Sequence, residues 1–228
     1  MNRMRIEGLY DLRTLKNLKE NDIYDYAFDF RPTSFNFLQQ YRFMDLIAQT
    51  DDKKSRYYLH FSNEADFVIG KFVEDLKSYY SKNNESGTFK DKVTLEFSDY
   101  CPASFYDSFE TPYYWNFHQE RPLKEYLEAK YIKGILLDFN WLHDKHERGE
   151  FDSFFANFLQ LAAPTVRERG LELALKIDWD SHLFDSLFDY VDFKFLSLPV
   201  NNKIEVCYRN VDLNKASKNI HFYKSLRF

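Results

Sequence analysis

The sequence predicts a (β/α)₈ TIM barrel, an α/β fold formed as one domain over residues 1–228. Three observations carry that expectation. Short apolar runs alternate with longer stretches of helical period, the pattern of repeated βα units around a mainly parallel sheet. Eight such units fit into 228 residues, which suits a barrel at the small end of its size range. The chain is also 44% hydrophobic, with its 29% of charged residues mixed along its length, enough for one sizeable core. A doubly wound open sheet is the alternative that the same alternation allows.

Strands are expected at 4–6, 24–30, 56–61, 93–97, 113–117, 134–139, 171–177 and 191–196. Helices are expected near 12–20, 36–49, 65–81, 103–109, 122–129, 151–169, 181–188 and 213–226. Asp11 is placed to cap the first helix, Asn63 with Asp66 resembles a capping box before the third, and Gly170 stops the sixth. The polar, turn-rich interval 82–92 is expected to form a loop between a helix and a strand.

Composition excludes several functions. The net charge of −5, with the basic residues scattered, provides no extended surface for neutralising phosphates, so nucleic acid is not an expected partner. Cys101 and Cys207 are too few and too far apart for a disulfide framework or a cysteine zinc site, which suits a reducing, cytoplasmic compartment. No run is long and apolar enough for a signal peptide or a membrane span. The 19% aromatic content, 24 Phe and 17 Tyr, is read as core and surface composition. No cofactor is expected, and the chain is expected to be a monomer or a homodimer.

On this fold, active sites sit at the carboxyl ends of the strands and in the adjoining βα loops. Glu7, at the end of the first strand in "MRIEGL", lies at such a position, and so does Asp138, which closes "GILLD". An ionised carboxylate there is paired, exposed or engaged in chemistry. Arg5 precedes Glu7 on the same strand face, and Glu96, Lys176 and Lys194 are expected in the same region, where an ion-pair network is as good an account as catalysis. Asp138 on its own most simply caps the adjoining loop or pairs with a lysine. His143 and His146, three residues apart, with His60 and His118, raise a metal site completed by Glu7 or Asp138. The charged neighbours Asp144, Lys145, Glu147 and Arg148 favour a solvated loop, and no metal is assigned.

Read in order, the strand ends resemble those of the phosphoribosylanthranilate isomerase family. "MRIEGLYDL" stands where that family has a K-I-C-G-[IL] segment, and "YAFDFRPTSFNF" is similar to its G-F-x-F-x-P-x-S-x-R. "LHFSNEADFVIGKFVEDL" resembles its V-F-V-N-E unit, "IKGILLDF" its sixth strand ending L-L-D, and "RGEFDSF" its G-K-x-F-D-W. The resemblance implies an Amadori rearrangement in which a cysteine is general base and an aspartate general acid. Those positions hold Glu7 and Asp138 here.

Departures from the family pattern fall on substrate binding. Its arginine after P-x-S is Asn36, which removes a fork suited to an anion, while Arg31 in the same segment stays a candidate ligand contact. The family's glycine-rich loops read "NWLHDKHERGEF", "LKIDWDSHLF" and "KFLSLPVN", so backbone amides can no longer close on a phosphate in the same way. Asp178 and Asp180 even place carboxylates there, with Lys176 and Lys194 as compensating point charges.

The expectation is therefore a divergent barrel without the standard isomerase activity. It would have a binding or regulatory role, or a changed small-molecule substrate that is phosphorylated if the resemblance extends that far. The alternatives are an active isomerase in tryptophan biosynthesis, with Glu7 as base and Asp138 as acid, and an unrelated lyase or hydrolase on the same fold.

Overall fold

The computed structural model describes residues 3–83, 88–184 and 187–225. Eight parallel strands close a barrel in chain order: β1 (Arg3–Glu7), β2 (Asp25–Asp29), β3 (Arg56–Phe61), β4 (Val93–Phe97), β5 (Tyr113–Asn116), β6 (Ile132–Asp138), β7 (Glu172–Lys176) and β8 (Phe195–Pro199). The last strand pairs with the first, with Arg5 opposite Ser197 and Glu7 opposite Pro199, so the open-sheet alternative falls. Outside the barrel run α1 (Leu12–Glu20), α2 (Gln40–Thr50), α3 (Asp66–Lys82), α4 (Phe89–Lys92), α5 (Ala103–Asp107), α6 (Leu123–Glu128), α7 (Phe139–Glu147), α8 (Phe151–Arg169), α9 (Leu187–Tyr190) and α10 (Leu213–Ser225). No helix among the described residues is long and apolar enough to cross a membrane.

Local chemistry explains the boundaries on which sequence and structure agree. Asp11 accepts the Thr14 amide at 2.8 Å and its hydroxyl at 2.7 Å, and Gly170 takes the left-handed turn, φ 65°, that ends α8. The capping box does not form. Asn63 is itself left-handed, φ 64°, its amide donates to Asp99, and α3 starts after Ala65.

Other expectations need correction. The segment after β6 is helical as α7, because Asp138 caps it, where the sequence suggests a loop. Most consequentially, β8 occupies Phe195–Pro199, four residues beyond the expected start at 191. Within it Ser197 is fully buried, because it points into the barrel and meets a polar partner there. After β8 the chain adds a two-stranded hairpin, β9 (Glu205–Cys207) and β10 (Asn210–Val211), that the sequence does not predict. Of the expected loop 82–92, residues 84–87 lie outside the described residues, and so do 185–186 of the expected helix 181–188 and Leu226 of the last one. Residues 181–184 are not helical.

Alternation along the strands divides the core in two. Outward residues, with the helices, form the large shell around Phe28, Phe43, Leu59, Phe72, Leu95 and Leu137. Inward residues Ala27, Tyr58, Tyr114, Leu136, Ala174 and Phe195 fill the waist of the barrel. The rings of Tyr58, Tyr114 and Phe195 lie 5.3–5.9 Å apart, within the range in which aromatic pairs attract. The waist closes because β6 contributes no side chain at Gly134. A Cβ there would lie 2.5 Å from the Glu172 carbonyl oxygen and would collide with the Tyr114 ring.

Gly134→Ala is therefore expected to destabilise the protein by about 1–3 kcal/mol through overpacking, read as a lower midpoint in urea with an unchanged slope.

Candidate functional site at the barrel mouth

Inward positions at the carboxyl ends of the strands carry charge where the waist carries rings. Arg5 lies at the boundary, fully buried, with its guanidinium carbon 5.0 Å and 4.9 Å from the ring centres of Tyr58 and Phe195. Its fork donates to the carboxylate of Glu96 at 2.6 Å, to Ser197 Oγ at 2.8 Å and to Glu7 at 3.2 Å. Glu96 is also fully buried, and its other oxygen accepts Lys176 at 2.9 Å and the Asn116 amide at 3.0 Å. The Ser197 hydroxyl donates to Glu7 at 3.1 Å, and Lys176 reaches Glu7 at 3.6 Å.

Two cations and two carboxylates thus neutralise one another in a site largely closed to water. Burial alone would push the Glu96 carboxyl up, but Arg5 and then Lys176 outweigh it and hold it well below the usual range. Burial alone would likewise lower Lys176, and Glu7 with Glu96 raise it. His60, one strand away, presents Nδ1 to Glu96 at 3.7 Å and exchanges a hydrogen bond with Ser98 at 2.8 Å through Nε2. Glu96 is already engaged by two cations, so burial wins at the imidazole, and its pKa falls to about 3. His60 is neutral at pH 7.

The remaining sequence candidates separate. Asp138 sits at the same end, paired in register with Lys176, but its carboxylate is exposed and accepts the Trp141 amide at 3.1 Å as the cap of α7. Arg31 turns back on Asp29 with bonds of 2.8 Å and 2.5 Å. Asn36 donates to the Val200 carbonyl at 2.7 Å and lies against Gly8, where a Cβ would come within 2.5 Å of its Nδ2. Asp178 accepts Lys203 at 2.6 Å and Asn201 at 3.0 Å, and Asp180 pairs with the same lysine. Beside them the buried Trp179 donates its indole N–H to Pro199 at 2.6 Å.

Lys194 does not join the others. It precedes β8, at the amino end of the barrel, and pairs with Glu172 at 3.7 Å. A strand starting at 191 would carry this lysine to the mouth; the observed start at Phe195 leaves it at the other end. Asn116, Ser197 and Lys203 are site residues that the sequence reading does not name, and His60, raised there only as a metal ligand, joins them as a neutral imidazole. His60, Asn116 and Ser197 each lie two positions beyond an inward-facing ring, at Tyr58, Tyr114 and Phe195, so the two-residue period could have found them. Lys203 comes from the segment leading to the hairpin, which no strand period reaches.

Against Glu7 and His60 the mouth has a cavity of about 140 Å³, lined also by Asp29, Arg31, Ser34 and Asn36. Its chemistry is that of paired charges and one neutral imidazole. Among the described residues, no three His, Cys, Asp or Glu side chains converge as metal ligands. His143 pairs with Glu147, and His146 stacks on Phe184 at 4.2 Å.

Neither a protein-family model nor a curated protein matches this sequence. Solved structures do match its shape. Phosphoribosylanthranilate isomerase from Thermus thermophilus superposes with a TM-score of 0.65 at 13% identity, covering 99% of this chain and 100% of that one. The Thermotoga maritima isomerase superposes at 0.63 and 17%, with coverage of 99% and 100%, and so does a phosphoribosylanthranilate isomerase in complex with reduced 1-(o-carboxyphenylamino)-1-deoxyribulose 5-phosphate. An HpcH/HpaI aldolase from Desulfitobacterium hafniense reaches 0.59 at 6% identity, with coverage of 99% and 93%. The fold is thus isomerase-like over its whole length, and it is shared with an enzyme of another class.

The network generates two expected outcomes. Glu96→Ala leaves Arg5 and Lys176 buried without their common partner and is expected to cost about 3–5 kcal/mol in urea unfolding. His60 is neutral when folded down to about pH 3 but takes up a proton below pH ~6.5 once unfolded, so its contribution to stability is complete above that pH and is lost as pH falls. Between pH 5 and 6.5, His60→Gln is expected to flatten the stability slope by up to ~1.4 kcal/mol per pH unit relative to the parent, measured by denaturation at each pH.

Proposed function

We propose that this chain is a divergent phosphoribosylanthranilate isomerase-like barrel that does not carry out the standard isomerisation and acts by binding. The cavity against Glu7 has room for a small polar molecule. The observation that carries this reading is the cavity against Glu7, about 140 Å³, whose charged walls are already paired. Pockets for drug-sized ligands run from about 300 to 1,000 Å³, and a water occupies about 30 Å³ in the liquid. An aromatic carboxylate joined to a phosphorylated five-carbon chain, as bound in a solved isomerase complex, exceeds that space.

Charge supports the same reading. A phosphate at the ends of β7 and β8 would meet Asp178 and Asp180, whose lysine partner is already shared between them, with Trp179 packed beside them. Arg31 and Lys176 would each have to leave a carboxylate to receive it. For proton transfer, a substrate would have to break the contacts of Glu7 with Arg5, Ser197 and Lys176 and the cap made by Asp138.

The rival reading, an active isomerase with Glu7 as base and Asp138 as acid, keeps one point in its favour: both carboxylates stand at the same end of the barrel. Asp138→Asn separates the two readings, because asparagine caps a helix about as well as aspartate but cannot donate a carboxyl proton. The parent protein is expected to show no turnover of phosphoribosylanthranilate and no rescue of a strain lacking the isomerase. Turnover that Glu7→Gln or Asp138→Asn lowers by about 100-fold or more would establish the rival.

A further inference from the structure

The opposite end of the barrel has the reverse electrostatics. Between β1, the start of β2 and the loop before β3 lies a cleft of about 380 Å³. Arg3, Lys53, Lys54, Arg56 and Lys224 line it, against the carboxylates of Asp22 and Asp25. Asp25 is engaged by Arg3 and by the Tyr58 hydroxyl at 3.0 Å. Lys53, Lys54 and Arg56 are exposed and make no ion pair among the described residues. In a chain of net charge −5, this is a local excess of uncompensated cations.

The loop that presents them is ordered from within. Asp52 accepts the amide of Lys54 at 2.9 Å and the amide and hydroxyl of Ser55 at 3.0 Å each, and Lys92 ties the neighbouring Asp51 at 3.3 Å. Lys54 is held 4.9 Å over the ring of Tyr24, which forms one wall.

We propose that this amino-terminal cleft binds a phosphate dianion, free or on a small phosphorylated metabolite, through Lys53, Lys54 and Arg56. A dianion gains from several converging cations where a monocarboxylate gains from one, and the guanidinium of Arg56 provides the planar fork that phosphate accepts. The volume lies at the small end of the ligand range, room for a sugar phosphate and too little for a dinucleotide. The site is independent of the upper mouth, where every cation already has a carboxylate.

Nuclear magnetic resonance titration and calorimetry on the full chain, with inorganic phosphate in one arm and glucose 6-phosphate in the other, test this. Saturable binding is expected, with amide shifts centred on residues 53–56 and weakening as salt rises. Tighter binding in the glucose 6-phosphate arm would identify an ester as the ligand, and equal binding the free ion. Lys54→Gln with Arg56→Gln, both exposed, is expected to weaken binding at least about tenfold, as the loss of charge-assisted bonds requires. Lys215→Gln, remote on α10, is expected to change it less than about twofold. Absence of saturable shifts, equal weakening by Lys215→Gln, or shifts centred on Arg31 and His60 would each overturn the proposal.

Discussion

A guanidinium with no exposure to water sits inside this barrel, and the arrangement of the mouth reflects the need to accommodate it. Arg5 cannot lose its proton, so the surroundings must supply what water would have given. Below it, Tyr58 and Phe195 offer ring faces; above it, Glu96, Glu7 and Ser197 accept its N–H groups. Glu96 in turn is a buried carboxylate needing more than one donor, which Lys176 and Asn116 provide. The chain of requirements ends only where Glu7 and Lys176 reach partial exposure. Charges arranged in this way are costly to disturb one at a time, because each removal leaves a buried partner unmatched.

That closure has a chemical consequence. A catalytic base must be free to meet a substrate, and a phosphate-binding cation must not already have its anion. In the upper mouth neither condition holds at rest. Each of the four central charged groups has its partner inside the protein, and the loop after β8 is tied to the loop after β7 by Lys203 and Trp179 and to the segment after β2 by Asn36. The polar end of a barrel that ordinarily works as a reaction vessel here resembles the ionic core of a structural joint. The amino end, by contrast, leaves its cations toward solvent.

Legibility in the sequence depends on the physics of each feature. The eight strands and the barrel can be read because apolar runs of strand length are a local signal, and Asp11 and Gly170 can be read because caps act within a few residues. Glu7, Arg5, Glu96 and Lys176 are legible as neighbours, since strand-end position and two-residue period fix where inward side chains point. Strand β8 is misplaced toward the amino terminus because Ser197 and Pro199 look like a strand's end, whereas Ser197 is buried by an arginine on a strand 192 residues away in sequence. That partner is a tertiary fact, and the position of Lys194 depends on it. The hairpin after β8 leaves no such periodic trace, since its strands are three and two residues long. Asn36 is readable as a missing arginine, but its use as a strut to Val200 is not.

The likeness to isomerase structures lies in the backbone, and the difference lies in what the strand ends hold, two quantities that vary separately on this fold. Shape agreement of similar extent with an aldolase shows how little the backbone constrains the reaction. What constrains it is whether charge at the mouth is available or consumed. Glu7 places a negative charge beside Arg5 and Lys176, and this carboxylate balances the second cation once Glu96 has matched the first. Glu7 thus completes a cluster in which Arg5 and Lys176 are balanced by two carboxylates, and the charge of the mouth is set by that balance more than by the shape of the backbone.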